Sequence, residues 1–145
     1  ALSRPAAEIA APWAKLPHTL VHGDSKVANF AVLPGNRLCA LDWAFVGRAP
    51  CTVEIGWYVA VNAPRLTGSK GDTFRRYRTL LEGHLGRALD DGLWERLEEA
   101  GVVCGARMLL WSKATAVAAG REGAEAEWAW WEARLERWAA RSRAG

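Results

Sequence analysis

The side chains that could do chemistry are concentrated in His22-Gly23-Asp24-Ser25-Lys26-Val27-Ala28-Asn29 and in Leu41-Asp42-Trp43. Asp24, Asn29 and Asp42 offer two carboxylates and an amide oxygen, all hard oxygen ligands or bases. Such a set suits Mg²⁺, which takes one or two carboxylates and leaves its other positions to water and phosphate. The set is useful only if the chain brings Asn29 and Asp42 together beside Asp24.

The elements between them are arranged to do that. Thr19-Leu20-Val21 is a short β-type run that ends just before His22. Phe30-Ala31-Val32-Leu33 and Arg37-Leu38-Cys39-Ala40-Leu41 are two more, and Pro34-Gly35-Asn36 between them is strong turn chemistry, which predicts a β-hairpin. A symmetric register centred between Gly35 and Asn36 sets Asn29 opposite Asp42 at the open end of the ladder, with Cα atoms about 4.5–5.5 Å apart. Residues 44–53 read as irregular.

Around this hairpin the chain reads as helical. A short helix is expected over residues 2–14, with Ser3 as N-cap and Pro12 and Pro17 at its end. Further helices are expected over 52–62, 72–88, 91–100, 102–119 and 121–142, with Asp72 and Asp90 or Asp91 as N-caps and Gly101 and Gly120 as stops. Ala124, Trp128, Trp131, Leu135 and Trp138 share one face of the last helix, where a core stripe is a commoner reading than a ligand pocket. The fold class is therefore α+β and mostly α-helical, a small hairpin followed by a helical bundle.

Composition bounds the rest. The chain has 145 residues, half of them apolar and about a quarter charged, which is one globular domain in size. The uncharged runs Val27–Asn36 and Ile55–Pro64 are far too short to span a membrane, and no signal peptide is visible at the start. A net charge of +3 does not argue for nucleic acid. The local bases Arg65, Lys70, Arg75, Arg76 and Arg78 read as a solvated loop and helix face, with an anion contact as the alternative. Cys39, Cys51 and Cys104 are odd in number and far apart, which fits a reducing cytoplasm better than a disulfide scaffold or a zinc site. His18 and His84 are isolated and read as surface or satisfied histidines.

His-x-Asp-x-x-x-x-Asn, followed by a hairpin and an Asp, is the catalytic-loop and metal-loop pattern of the kinase fold. With Gly23 in the second position and Asp42-Trp43 in place of Asp-Phe-Gly, the chain resembles the aminoglycoside phosphotransferase and choline kinase-like family. Gly47, Pro50 and Glu54-Ile55-Gly56 extend the likeness, which covers about residues 17–60. The resemblance implies the C-terminal catalytic lobe of a protein-kinase-like fold over residues 1–145, acting as an ATP-dependent phosphotransferase on a hydroxyl of a small molecule. It implies that Asp24 is the catalytic base, that Asn29 and Asp42 hold Mg²⁺ on the nucleotide phosphates, and that His22 braces the catalytic loop. It places Lys26 near the transferred phosphoryl, as protein kinases often do, although this family more often has His there. Glu54 stands where the family usually has an Asp that ties the following helix to the catalytic loop.

The family's nucleotide lobe has no counterpart in the sequence. There is no Gly-x-Gly-x-x-Gly, and none of Lys15, Lys26, Lys70 and Lys113 follows a strand of the expected type. Together with a first residue that is not Met, this suggests a truncated or processed chain, inactive alone and prone to self-association through exposed apolar surface. The expected partners are a nucleotide, a small hydroxyl acceptor and the missing N-terminal lobe, with no nucleic acid and no membrane. Seven bases against five acids over residues 100–145 weaken a polycationic aminoglycoside as that acceptor. The acids Glu122, Glu125, Glu127, Glu132 and Glu136 read as a solvated helix face. Two other functions compete: a non-catalytic kinase-like binding or interaction domain, and a Mg²⁺-dependent phosphohydrolase built on Asp24 and Asp42.

Overall fold

The computed structural model describes Leu2 and residues 4–144, with side chains through Ser142. It is an α+β structure dominated by helices. In chain order it has α1 (Ala6–Ala10), β1 (His18–Val21), β2 (Phe30–Leu33), β3 (Arg37–Ala40), β4 (Gly47–Pro50), α2 (Thr52–Val61), α3 (Lys70–Leu85), α4 (Asp91–Ala118) and α5 (Ala124–Ala144). No described helix is long and apolar enough to cross a membrane.

The first helix is shorter than the sequence suggests, and the expected cap Ser3 lies outside the described residues. After Ala10 the chain tightens into a 3-10 turn over Ala11–Trp13. Pro12 explains the change, because it has no N–H to continue the α-helical ladder.

The strands form two separate antiparallel ribbons. In one, β2 pairs with β3, with Leu33 opposite Arg37 and Phe30 opposite Ala40. The hairpin is therefore centred on Gly35, one half-step from the expected register. Asn29 lies opposite Leu41, whose N–H donates to Asn29 O at 2.8 Å. Asp42 falls just past the ladder in a left-handed conformation, φ 60°. The second ribbon pairs β1 with β4, His18 opposite Pro50 and Val21 opposite Gly47. That corrects the reading of 44–53 as irregular. Gly-Arg-Ala-Pro carries little strand signal of its own, and a proline is tolerated at the end of an edge strand.

α3 begins at Lys70, not Asp72. Ser69 caps it, its hydroxyl accepting from the Asp72 N–H while Asp72 accepts from the Ser69 N–H, so Asp72 is the inner half of a capping box. Asp90 caps α4 as expected, accepting from Leu93 N–H at 2.8 Å. α4 then runs unbroken through Gly101, where a stop was expected. Gly101 is instead a point of close approach. A Cβ there would meet Thr52 O at 2.3 Å, one on Gly56 would meet Gly101 O at 1.8 Å, and one on Gly105 would meet Gly56 O at 2.4 Å. The backbones of α2 and α4 touch through these three glycines, and Thr52 Oγ1 donates to Leu97 O across the same contact.

The core gathers around this crossing. Val59, Phe74, Leu97, Val103 and Trp131 are fully buried, and Trp13, Trp94 and Trp138 join them. The stripe on α5 is thus core packing, with Trp131 and Trp138 facing inward. The two groups of charges read from the sequence as solvated are largely so, Arg65, Arg75, Arg76, Glu122, Glu125, Glu132 and Glu136 being exposed, but one member of each is not. Lys70 turns inward to pair with Glu127, which Lys113 also reaches at 3.2 Å. Of the remaining local bases, Arg75 pairs with Asp72 and Arg78 with Glu82 and Asp91. His18 and His84 each bond a nearby carbonyl through Nδ1.

Large apolar side chains are exposed mainly on the hairpin and the segment after it. Val32, Leu38 and Phe45 are exposed there, and Trp111 is exposed on α4.

Candidate active site

The loop after β1 and the segment after β3 meet beside α2. Gly23 makes the turn into this loop with φ 81°, and a Cβ there would strike Phe45 O at 2.3 Å, so only glycine fits. A further turn follows, with Lys26 N donating to Asp24 O at 2.8 Å and Asn29 N to Lys26 O at 2.9 Å. This places the side chains of Asp24, Lys26 and Asn29 on one side of a tight loop.

Asp24 is the hub. It is buried, and three donors hold its carboxylate. Lys26 Nζ reaches Oδ2 at 2.6 Å, Asn29 Nδ2 reaches Oδ2 at 2.9 Å, and Trp57 Nε1 reaches Oδ1 at 3.3 Å. The Lys26 ammonium holds the carboxyl below its ordinary range; burial opposes this, and Asn29 and Trp57 add to the lowering. Lys26 is pushed up in return, chiefly by Asp24, against burial and with a smaller contribution from Asp42.

His22 joins the two segments. Its Nδ1 accepts from the Asp24 N–H at 3.3 Å, which leaves the proton on Nε2 to donate to Leu41 O at 2.7 Å. The ring lies 4.6 Å from Trp43 and 5.9 Å from Phe30, centroid to centroid. His22 therefore braces the residue immediately before Asp42 against the loop that carries Asp24. Asp42 itself is exposed.

Asn29 uses its amide nitrogen on Asp24, donating to both the carboxylate and the backbone carbonyl. Its oxygen is the atom left for a cation. Among the described residues no three His, Cys, Asp or Glu side chains gather as a metal-ligand group. The oxygen donors of the two segments are the Asp24 carboxylate and the Asn29 amide, which touch, and the Asp42 carboxylate, which is exposed and has no hydrogen bond or ion pair to either. That donor set fits Mg²⁺ bound largely through phosphate and water, and it does not make an all-protein cage.

α2 anchors the loop at both ends. Glu54 Oε2 accepts from the backbone N–H groups of His22 and Gly23, and Ser25 Oγ donates to Glu54 O at 3.2 Å. The longer Glu side chain thus makes the helix-to-loop tie, while its Oε1 is buried without a partner. One helix length on, Asn62 is almost wholly buried. Its Oδ1 accepts from Val27 N–H at 3.0 Å, and its Nδ2 donates to Ser25 O at 3.1 Å and Tyr58 O at 3.0 Å.

Sequence reasoning missed Asn62 and Trp57. Asn at the end of a helical run has a visible signal, but it reads as a helix stop. Nothing in the sequence marks Trp57 among nine tryptophans. The three cysteines are free, and burial pushes the Cys104 thiol up to about 11, which leaves it protonated. Comparison of the chain with family models, with curated proteins and with solved structures found no match in any of the three.

Proposed function

We propose that this chain is the catalytic and substrate lobe of an ATP-dependent phosphotransferase that acts on a hydroxyl of a small molecule, as in the aminoglycoside phosphotransferase and choline kinase-like family. The observation that carries the reading is the Asp24 carboxylate, buried and fixed by Lys26, Asn29 and Trp57, in a loop bonded directly to the residue before Asp42. A turn with no chemical task does not need a buried carboxylate held by three side chains.

In this reading Asn29 and Asp42 hold Mg²⁺, which when bound neutralises charge on the nucleotide phosphates. Asp24 receives the acceptor hydroxyl. The acceptor oxygen forms the new bond to the γ-phosphorus, the bond to the β-phosphate oxygen breaks, and the hydroxyl proton leaves through Asp24. With its carboxyl held below the usual range, Asp24 is ionised at neutral pH and a weak base, so its larger contribution is to orient the hydroxyl. Positioning and electrostatic stabilisation then dominate over proton abstraction. Lys26 bonds Asp24 and has an exposed side chain, so it can reach the transferred phosphoryl oxygens without leaving the loop.

The test uses the full-length protein that contains this chain. Titration calorimetry measures Mg²⁺–ATP binding, and ATP turnover is followed over a panel of alcohols, sugars and amino alcohols. Turnover that falls at least 100-fold in Asp24→Asn while nucleotide binding persists is the expected result. An intact protein that binds no Mg²⁺–ATP ends the proposal in favour of a non-catalytic interaction domain.

A further inference from the structure

A cavity of about 530 Å³ opens beside the last turn of α2. Val61 and Pro64 form its apolar wall, Lys113 of α4 and Glu127 of α5 its inner polar wall, and Arg121 and Glu122 its rim. Val61 follows Trp57 by one helical turn, about 6 Å along the axis, and so shares its side of α2. Trp57 is the residue whose indole touches Asp24. The next position, Asn62, clamps the loop that carries Asp24. The cavity is therefore built on the same stretch of helix that positions the candidate catalytic carboxylate, and its volume is that of a small-molecule site.

The charges around it are unequal in availability. Glu127 is already committed to Lys70, to Lys113 at 3.2 Å and to Trp131 Nε1 at 2.9 Å. Burial pushes its carboxyl up, but those partners outweigh burial and leave it lowered. The charged lining is balanced, Lys113 and Arg121 against Glu122 and Glu127, but Lys70, which stands outside the lining, also takes Glu127, so that carboxylate is shared by two lysines. Lys113 donates to Ala60 O at 2.9 Å and forms an ion pair with Glu127 at 3.2 Å, which leaves at least one of its three ammonium protons free. Arg121 at the rim makes no ion pair or side-chain hydrogen bond among the described residues. Glu122 is the one acid at the rim left without a described partner.

We infer that this cavity receives the acceptor, and that the acceptor is a small hydroxylated molecule carrying an anionic group, a carboxylate or a phosphate, held by Arg121 and the free proton of Lys113. The inference rests on the phosphotransferase reading for the word acceptor, but the binding itself does not. A polycation finds only Glu122 uncommitted, because Glu127 is already held by Lys70, Lys113 and Trp131. A single anionic group finds two donors, and the aliphatic wall of Val61 and Pro64 covers the carbon skeleton. The hydroxyl end then extends along α2 toward Trp57 and Asp24.

The experiment is amide-resolved NMR titration of the full-length protein without nucleotide. The probes are D-glycerate, L-malate and glycerol 3-phosphate, with glycerol as the neutral comparison and kanamycin as the polycation. At least one anionic probe is expected to shift amides in Ala60–Pro64, Ser112–Ala116 and Arg121–Ala124. Its affinity should drop at least tenfold in Arg121→Glu, which lies on the surface and leaves the fold intact. Glycerol should bind more weakly, and kanamycin should not compete. The inference is overturned if no anionic probe shifts these amides, if Arg121→Glu leaves the affinity unchanged, or if kanamycin binds the cavity more tightly than the acids. The unsubstituted protein separates the two readings: anion binding by a protein that neither binds nor turns over Mg²⁺–ATP upholds the cavity and removes the phosphotransferase, and Asp24→Asn, outside the cavity lining, should keep the anion affinity.

Discussion

Replacing Asn62 by Leu removes the clamp between α2 and the Asp24 loop while keeping a side chain of similar size. Asn62 is 2% exposed, so little water can take its place. Three hydrogen bonds are lost, but not all three partners are orphaned. Tyr58 O also accepts from the Asn62 backbone N–H at 3.0 Å and keeps that bond. Val27 N–H and Ser25 O lose their only described side-chain partner. Each buried group left unpaired costs about 1–3 kcal/mol, and the added apolar burial of Leu returns about 1 kcal/mol. The net loss is about 1–5 kcal/mol, a large share of the roughly 5–15 kcal/mol that stabilises an ordinary domain. Urea unfolding followed by tryptophan fluorescence reads the total, and hydrogen exchange of the Val27 amide reads the local opening. A loss below about 1 kcal/mol with Val27 protection unchanged would refute the claim that Asn62 holds the loop.

Two further substitutions test the account at other points. Gly101→Val puts a branched side chain where a Cβ already meets Thr52 O at 2.3 Å, so α2 must move off α4. Overpacking of that kind costs about 3 kcal/mol or more, and an unchanged melting temperature would show that the helices are not in backbone contact. Lys26→Met removes the leading cause of the lowered Asp24 carboxyl, so its titration, read by carbon-13 NMR, should move upward. The folded value lies below the ordinary 3.8, so the Asp24 contribution to stability is present above 3.8 and is lost as pH falls through the folded value. The variant should narrow that acid window, and an unmoved titration would separate Lys26 from Asp24.

What the sequence made legible follows its local chemistry. Pro34-Gly35-Asn36 announced the hairpin, and the β-type runs on either side of it named its strands. The half-step in register was not legible, because a three-residue turn can centre on Gly35 or beside it. Asp24 and Asn29 were visible through their spacing within one loop. Trp57, which bonds Asp24, and Asn62, which bonds the loop backbone at Ser25 and Val27, come from a helix that begins more than twenty residues later and from its cap, and no periodicity marks a side chain that hydrogen-bonds across such a gap. Gly101 shows the same limit: its helix-stopping character was visible, whereas the Thr52 carbonyl that requires a glycine there was not. Lys70 and Glu127 read as surface charges because their pairing exists only once α3 and α5 are packed.

The most direct test is paramagnetic relaxation by Mn²⁺ in place of Mg²⁺, added with ADP to the full-length protein and read on backbone amides. The account predicts nucleotide-dependent broadening strongest at Asp24–Asn29 and Leu41–Trp43 and weaker on the part of α2 that touches them, lost in Asp42→Asn. Broadening that is absent from these two segments, or that centres on the acids Glu95, Glu98 and Glu99, would contradict it.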